Sequence, residues 1–192
     1  ITGAGDDRVT IGAGTNRVLG DEGTLIVNED GTTTVQSLNP AVGGDDEIQV
    51  GEGFNIAIGG AARDLISVNG TQSNARGIVL GDNGTLLLDS DGNLSQITSS
   101  DFEHGDADVI QLTDGTNAVI GGVAGDQITA TNGRNTILGD DGRASYLPDG
   151  NLVLIRSENL GHGGNDTISL ANGVNHVIAG LGSDDIDVGG CS

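Results

Sequence analysis

A nine-residue spacing of aspartate and asparagine runs through this chain of 192 residues and limits the folds it can adopt. Asp46, Asn55 and Asp64 are nine residues apart, and Asn74 follows after ten. The same nine-residue interval recurs within three further groups: Asp7 and Asn16; Asp108, Asn117, Asp126 and Asn135; and Asp166, Asn175 and Asp184. Units of Asp type and Asn type alternate, so one complete repeat has eighteen residues. A short internal period of this kind is typical of repeat architectures.

Each unit has the pattern of a turn followed by a short strand. After every Asp-type position the second and fourth residues are aliphatic and the one between is polar, as in Ile48, Gln49 and Val50. Alternation with a period of two predicts a half-buried strand, and the glycine-rich stretch before the aspartate predicts a turn. Two units then form one coil. The sequence therefore predicts an all-β fold, a parallel β-roll or β-solenoid of stacked 18-residue coils with inserted β-hairpins.

The predicted hairpins begin at Leu19, Leu80 and Leu138. Each holds two apolar runs around an Asp-Gly pair, which favours the tight turn between antiparallel strands. Together with the coils they form a long repeat, whose copies start 62 and then 58 residues apart at Asp46, Asp108 and Asp166. We therefore divide one continuous solenoid into a partial repeat with its hairpin (1–41), two full repeats (42–102 and 103–160) and a partial repeat (161–192).

Composition restricts both the core and the partners. Aromatic residues make up 2% of the chain and Met and Trp are absent, so a core must be thin and built from aliphatic side chains. The formal net charge is -21, and all seven cationic side chains are arginines. This charge argues against nucleic acid and anionic membranes as partners, and no apolar run is long enough for membrane insertion. Divalent cations are the expected countercharge.

Several units closely match one known repeat, among them GHGGNDTIS at Gly161, GGVAGDQIT at Gly121 and AGLGSDDID at Ala179. They resemble the RTX, or haemolysin-type calcium-binding, repeat G-G-x-G-x-D-x-U-x, and the resemblance extends over the chain apart from the hairpins. In that family, turn carbonyls and the aspartates of stacked turns enclose Ca²⁺ between adjacent coils. The resemblance implies calcium as the cofactor and implies these metal ligands: Asp7, Asp46, Asp64, Asp108, Asp126, Asp166 and Asp184.

The physical chemistry of the spacing leaves two interpretations of these aspartates. Residues eighteen apart stack about one strand separation from each other, ~4.8 Å, so their carboxylates repel unless a cation lies between them. Alternatively, the aspartates only cap turns through Asx-type hydrogen bonds. On the other edge neutral amides replace the carboxylates, and we expect a hydrogen-bonded ladder there. Its predicted members are Asn16, Asn55, Asn74, Asn117, Asn135 and Asn175.

Five Asn-type units contain two successive apolar residues, one of which must point out of a two-sheet core. The pairs are Val18-Leu19, Ala57-Ile58, Val119-Ile120, Ile137-Leu138 and Val177-Ile178. Either the hairpins fold over this stripe or it forms a lateral interface with a partner or a second copy.

The function expected from these patterns is structural. No nucleophile–base pattern, phosphate loop or carboxylate cleft stands out from the repeat, so we do not expect an enzyme. The expectation is a calcium-binding repeat module of a secreted or cell-surface bacterial protein, such as an adhesin or extracellular fibre, that folds and stiffens on binding Ca²⁺. Two alternatives stay open: an accessory module of a secreted protease or polysaccharide-modifying enzyme, or a filament subunit that self-associates laterally or end to end. Cys191 is the only cysteine, so no internal disulfide can form.

Overall fold

The computed structural model describes residues 1–70, 74–159 and 161–189, which form β-strands, turns and loops. The strands are β1 (Arg8–Ile11), β2 (Gly14–Leu19), β3 (Gly23–Val27), β4 (Thr33–Ser37), β5 (Glu47–Val50), β6 (Gly53–Ile58), β7 (Leu65–Val68), β8 (Arg76–Leu80), β9 (Gly84–Leu88), β10 (Leu94–Ser99), β11 (Val109–Leu112), β12 (Gly115–Gly122), β13 (Gln127–Ala130), β14 (Gly133–Asp140), β15 (Gly142–Tyr146), β16 (Leu152–Ser157), β17 (Thr167–Leu170), β18 (Gly173–Ile178) and β19 (Asp185–Val188). These residues contain no helix, so none that could cross a membrane is found among them, and the predicted all-β class is confirmed.

Two of the three sheets are parallel throughout. The outer sheet has the order β1-β5-β7-β11-β13-β17-β19, and the central sheet has the order β2-β6-β8-β12-β14-β18. The chain passes alternately between them, and equivalent positions pair: Ile48 aligns with Ile66, which aligns with Ile110. Parallel pairing in register is what the eighteen-residue period predicts, because it places the same aliphatic positions on the same face.

The third, hairpin sheet is antiparallel and covers the central sheet. The hairpins β3–β4, β9–β10 and β15–β16 join into one sheet because β4 also pairs with β9 and β10 with β15. Each hairpin turn ends in a glycine with positive φ: Gly31 at 84°, Gly92 at 81° and Gly150 at 81°. An L-residue with a side chain is disfavoured at that position, which explains the Asp-Gly pairs.

The central sheet is buried on both faces, which accounts for the successive apolar residues. Ala57 packs into the core shared with the outer sheet, whereas Ile58 packs into a second core with Leu86 and Val35 of the hairpin sheet. The hairpins therefore cover the stripe that would otherwise be exposed, as the first of our two interpretations predicted. Aliphatic side chains suffice because each core is one layer of interdigitated residues thick.

Two turns contain alanine in a conformation that favours glycine. Ala62 and Ala124 both have φ of 67° and occupy equivalent positions, two residues before Asp64 and Asp126. The G-G-x-G-x-D repeat has its third glycine there, since a Cβ in the left-handed region costs roughly 1–2 kcal/mol.

We expect Ala62→Gly and Ala124→Gly each to raise the free energy of unfolding by ~1 kcal/mol, because the Cβ strain in the left-handed region is relieved. Urea denaturation measures the change. Ala130→Gly in β13 is the control, since Ala130 is buried in a regular strand and its loss should destabilise by ~1 kcal/mol. Equal destabilisation by all three substitutions would contradict the strain at the turns.

Candidate functional site

The seven aspartates predicted as metal ligands form one continuous row, which we call the aspartate row. Each immediately precedes a strand of the outer sheet, as Asp46 precedes β5 and Asp64 precedes β7. The backbone N–H of each aspartate donates to Oδ1 of the next. The N–O distances are 2.8 Å for Asp7 to Asp46, 2.8 Å for Asp46 to Asp64, 2.7 Å for Asp64 to Asp108, 2.8 Å for Asp108 to Asp126, 2.8 Å for Asp126 to Asp166 and 3.1 Å for Asp166 to Asp184.

In five of the seven carboxylates the second oxygen is buried without a hydrogen-bond partner. This holds for Oδ2 of Asp46, Asp64, Asp108, Asp126 and Asp166. Each faces a glycine at the end of a central strand: a Cβ on Gly59 would lie 2.1 Å from Asp64 Oδ2 and 2.3 Å from the Gly81 carbonyl oxygen. The missing side chain thus leaves a cradle in which a carboxylate oxygen and a main-chain oxygen lie together. Gly20, Gly81, Gly121 and Gly139 form equivalent cradles.

Burial and mutual repulsion shift the acid–base equilibria of the row. Burial, reinforced by the charges of neighbouring aspartates, raises the pKa of Asp64 to about 9 and that of Asp46 to about 6. Burial likewise raises the pKa of Asp166 to about 7 and holds the pKa values of Asp108 and Asp126 well above the ordinary range. None of the ion pairs in the described part of the chain involves the row. Within the described residues, a fully ionised row therefore has no ion-pair partner.

Three further buried aspartates, which the sequence analysis did not single out, lie beside the row. We call Asp21, Asp82 and Asp140 the clamp aspartates. Each carboxylate accepts backbone N–H groups from two successive turns, as Asp82 does from Asp106 at 3.2 Å and from Val123 at 2.7 Å. The equivalent donors are Gly44 and Ala61 for Asp21, and Gly164 and Leu181 for Asp140. The clamp aspartates therefore join adjacent turns.

A sequence signal for the clamp aspartates was present. Each is the last residue of a Leu-Gly-Asp triplet, and the triplet recurs with the long repeat at Leu19, Leu80 and Leu138. Our interpretation used these triplets only to mark where the hairpins begin. The turn glycines opposite them, such as Gly105 and Gly122, are required because a Cβ there would lie 2.1 Å and 2.2 Å from an Asp82 carboxylate oxygen.

The clamp aspartates add negative charge to the row. Burial, together with the charges of Asp108 and Asp126, raises the pKa of Asp82 well above its ordinary value, and Asp21 contributes to the raised pKa values of Asp46 and Asp64. Among residues 1–70, 74–159 and 161–189, no three acidic, histidine or cysteine side chains form a metal-binding group by themselves. A cation at the row would therefore also need the main-chain oxygens of the cradles.

The asparagine edge forms the expected ladder with one interruption. Asn117 Nδ2 donates to Asn135 Oδ1 at 2.9 Å, and Asn135 Nδ2 donates to Asn175 Oδ1 at 2.8 Å. Asn16 and Asn55 are bonded in the same way at 2.8 Å. The prediction for Asn74 was wrong: it lies in an exposed turn, and Gly77 pairs with Asn55 and Asn117 instead. Gly77 lies thirteen residues after Asp64, whereas Asn55 lies nine residues after Asp46, so the connection from β7 to β8 is four residues longer and Asn74 falls before the ladder position. Cys191 lies outside the described residues.

Without divalent cations, the protein should be most stable near pH 4 and lose stability as the pH rises to about 9. Folded-state pKa values of about 6 for Asp46, about 7 for Asp166 and about 9 for Asp64 exceed the ordinary value of 3.8, so the folded state binds more protons than the unfolded state. The stabilisation is complete below pH 4 and is lost as each folded pKa is passed. Thermal unfolding in EDTA across this range measures it, and a midpoint that rises with pH would contradict the buried row.

Substitution by asparagine should have opposite effects at the two kinds of aspartate. Asp108→Asn keeps an oxygen that can accept the Asp64 N–H and removes a buried carboxylate that needs a proton or a cation, so in EDTA at pH 6, where protons still neutralise the row, it should stabilise by ~1 kcal/mol or more. Asp21→Asn replaces one acceptor of a backbone N–H by a donor and should destabilise by ~1–3 kcal/mol. Chemical denaturation compares them. Destabilisation by Asp108→Asn under these conditions would be the contradictory outcome.

No protein-family model matches the chain, and the searches of curated proteins and of solved structures also found no match. The features that bear on function are therefore the aspartate row, the cradles and the clamp aspartates. These features define a site whose chemistry is that of hard oxygen donors carrying excess negative charge.

Proposed function

We propose that the chain is a calcium-binding β-solenoid module related to the RTX repeats, and that cation binding at the aspartate row lets its coils stack. The observation that carries the proposal is the row of five buried carboxylate oxygens without partners. A buried carboxylate without a counterion or a proton is strongly unfavourable. At neutral pH the row therefore needs either protons or cations.

The donor set suits calcium better than other cations. Carboxylate and main-chain oxygens are the hard ligands that Ca²⁺ takes in sets of six to eight. The row supplies carboxylates such as Asp64 and Asp108, and the cradles supply carbonyls such as those of Gly81 and Gly121. Bound Ca²⁺ would supply the positive charge that the row lacks. Neither cysteine nor histidine contributes to the row, so its donor chemistry does not favour zinc.

Three sets of polar residues hold adjacent coils together. Oδ1 of each row aspartate fixes the backbone of the preceding coil, which leaves Oδ2 available for a cation. The clamp aspartates hold successive turns in line, and the asparagine ladder joins the coils at the opposite edge. Such a module would be stiff along its axis once the row is neutralised and much less ordered before that.

This behaviour fits a module of a secreted or cell-surface bacterial protein, for example an adhesin or extracellular fibre. Excess negative charge keeps the chain soluble and opposes compaction where calcium is scarce, whereas a calcium-rich exterior favours the stacked state. We infer a mechanical role as a spacer, with no catalytic residues of its own.

Titration with calcium, followed by far-ultraviolet circular dichroism at pH 8, tests the proposal. We expect a cooperative rise in β signal that EGTA reverses and that magnesium does not reproduce, because Mg²⁺ requires a stricter octahedral geometry. Complete β structure in EGTA without any bound calcium would show that the aspartates only cap turns. Asp91→Asn, in an exposed hairpin turn, should titrate like the unsubstituted protein and serves as the charge-matched control for Asp108→Asn.

The dependence of calcium stabilisation on pH separates cations from protons as the countercharge. Protons and Ca²⁺ compete for the same carboxylates, so calcium should raise the unfolding midpoint strongly at pH 8 and little at pH 5. Asp108→Asn should reduce the gain at pH 8 while raising stability in EDTA. A calcium effect of equal size at both pH values would point to a site elsewhere than the buried row.

A further inference from the structure

A groove lies between the start of the central strands and the turns of the hairpins, away from the aspartate row. It consists of two adjoining cavities of about 160 Å³ and 230 Å³ that share Thr116, Arg134, Tyr146 and Gly150. Central-sheet residues such as Thr116 line one wall. The turns of the second and third hairpins, with Asn93 and Gly150, line the other.

The groove concentrates positive charge in a strongly acidic chain. Of the seven arginines, Arg76 and Arg134 line it, and neither forms an ion pair within the described ranges. Arg76 Nη1 donates to the amide oxygen of Asn93 at 2.9 Å. The only acidic residue among the described lining is Asp149, whose carboxylate accepts the main-chain and side-chain N–H groups of Asn151 at 3.0 Å and 2.8 Å. The two guanidinium groups thus have no acidic partner among the described residues and can pair with an external anion.

The strand register sets the spacing of these arginines. Thr116 of β12 pairs with Arg76 of β8 on one side and with Arg134 of β14 on the other. The two arginines are therefore anchored two strand separations apart, ~10 Å. Phe54 of β6 pairs with Arg76 and continues the line, and Tyr146 of the hairpin sheet lines the same cavity. Charged, hydroxyl and aromatic groups thus alternate along one groove.

We propose that this groove binds a short acidic oligosaccharide whose carboxylates lie on non-adjacent sugars. Arginine pairs with carboxylates through two parallel hydrogen bonds. Phe54 and Tyr146 offer rings against which the apolar faces of sugars pack, and Thr116 offers a hydrogen bond to a hydroxyl group. The inference is independent of calcium at the aspartate row, because it uses different residues.

The same geometry disfavours an acidic peptide. An extended peptide gains most of its affinity by adding to an unpaired strand edge. In this groove β12 is already paired with β8 and β14, and β15 is paired with β10 and β16. Recognition must therefore come from side chains that reach separate charged and hydroxyl groups, which a sugar chain presents at regular intervals.

Isothermal titration calorimetry with a linear tetramer of galacturonic acid tests the proposal, with the neutral galactose tetramer as the second probe. We expect binding of the acidic tetramer only, and affinity reduced about tenfold or more by Arg76→Gln and by Arg134→Gln. Arg8→Gln is the matched control, since Arg8 pairs with Glu47 on the outer sheet and its loss should leave affinity unchanged. A blank titration of the tetramer into calcium buffer removes its own cation binding.

Four outcomes would overturn the proposal. These are equal binding of the neutral tetramer, unchanged affinity in both groove variants, an equal loss of affinity in Arg8→Gln, and the absence of binding at millimolar acidic tetramer. A tetraglutamate peptide that binds as tightly as the sugar would assign the groove to acidic peptides instead. Circular dichroism melting curves of all variants establish that any loss of affinity arises in folded protein, as expected for exposed arginines.

Discussion

The row of buried aspartates is the constraint on which the rest of this structure depends. Each carboxylate binds the backbone of the neighbouring unit through one oxygen and keeps the other beside a glycine. The first interaction sets the alignment of the outer sheet and explains why aspartate recurs at that position. The second leaves five buried carboxylate oxygens without a hydrogen-bond partner, so ionisation of the row disfavours the folded state unless a counterion is present. Stability and the proposed cation binding therefore depend on the same atoms.

The two kinds of buried aspartate show how similar residues can have different physical roles. A clamp aspartate such as Asp82 has both oxygens hydrogen-bonded to main-chain N–H groups of adjacent turns, whereas Asp108 has one oxygen satisfied and one free. The first arrangement orders the turns without a ligand. The second leaves a buried carboxylate oxygen free to coordinate a cation. The clamp aspartates thus hold the turns of the proposed cation site in place, and the row aspartates supply its free oxygen donors.

Much of the fold could be predicted because the repeat is local in sequence. The period of nine, the alternating aliphatic residues and the Asp-Gly pairs predicted the parallel strands and the hairpins. The paired apolar residues such as Ala57 and Ile58 left two interpretations, of which cover by the hairpins is the one observed. The sequence analysis missed features that depend on tertiary contacts. The triplet that contains Asp21 marked only the start of a hairpin, whereas its hydrogen bonds come from the turns at Gly44 and Ala61. That Gly77 replaces Asn74 in the ladder followed only from the strand register.

The groove is likewise a product of assembly, because its walls come from strands and hairpin turns of different repeats. No local pattern indicates that Arg134 and Asn93 line one cavity. Whether an aspartate is hydrogen-bonded at one oxygen or at both also depends on partners that are distant in the chain. Spacing therefore predicted which residues recur, while their chemistry followed from the packing of the hairpin sheet and the turns.

The in-register pairing of the three sheets has a consequence for load. Backbone hydrogen bonds of the outer, central and hairpin sheets run in the same direction as the aspartate and asparagine ladders, so tension in that direction is shared among them, except that the asparagine ladder is interrupted at Gly77. Because each strand bonds only to its neighbours in a sheet, we expect one junction to yield while the junctions on either side keep their bonds. A fibre built from such units would extend in discrete steps and could recover its length junction by junction when the tension falls.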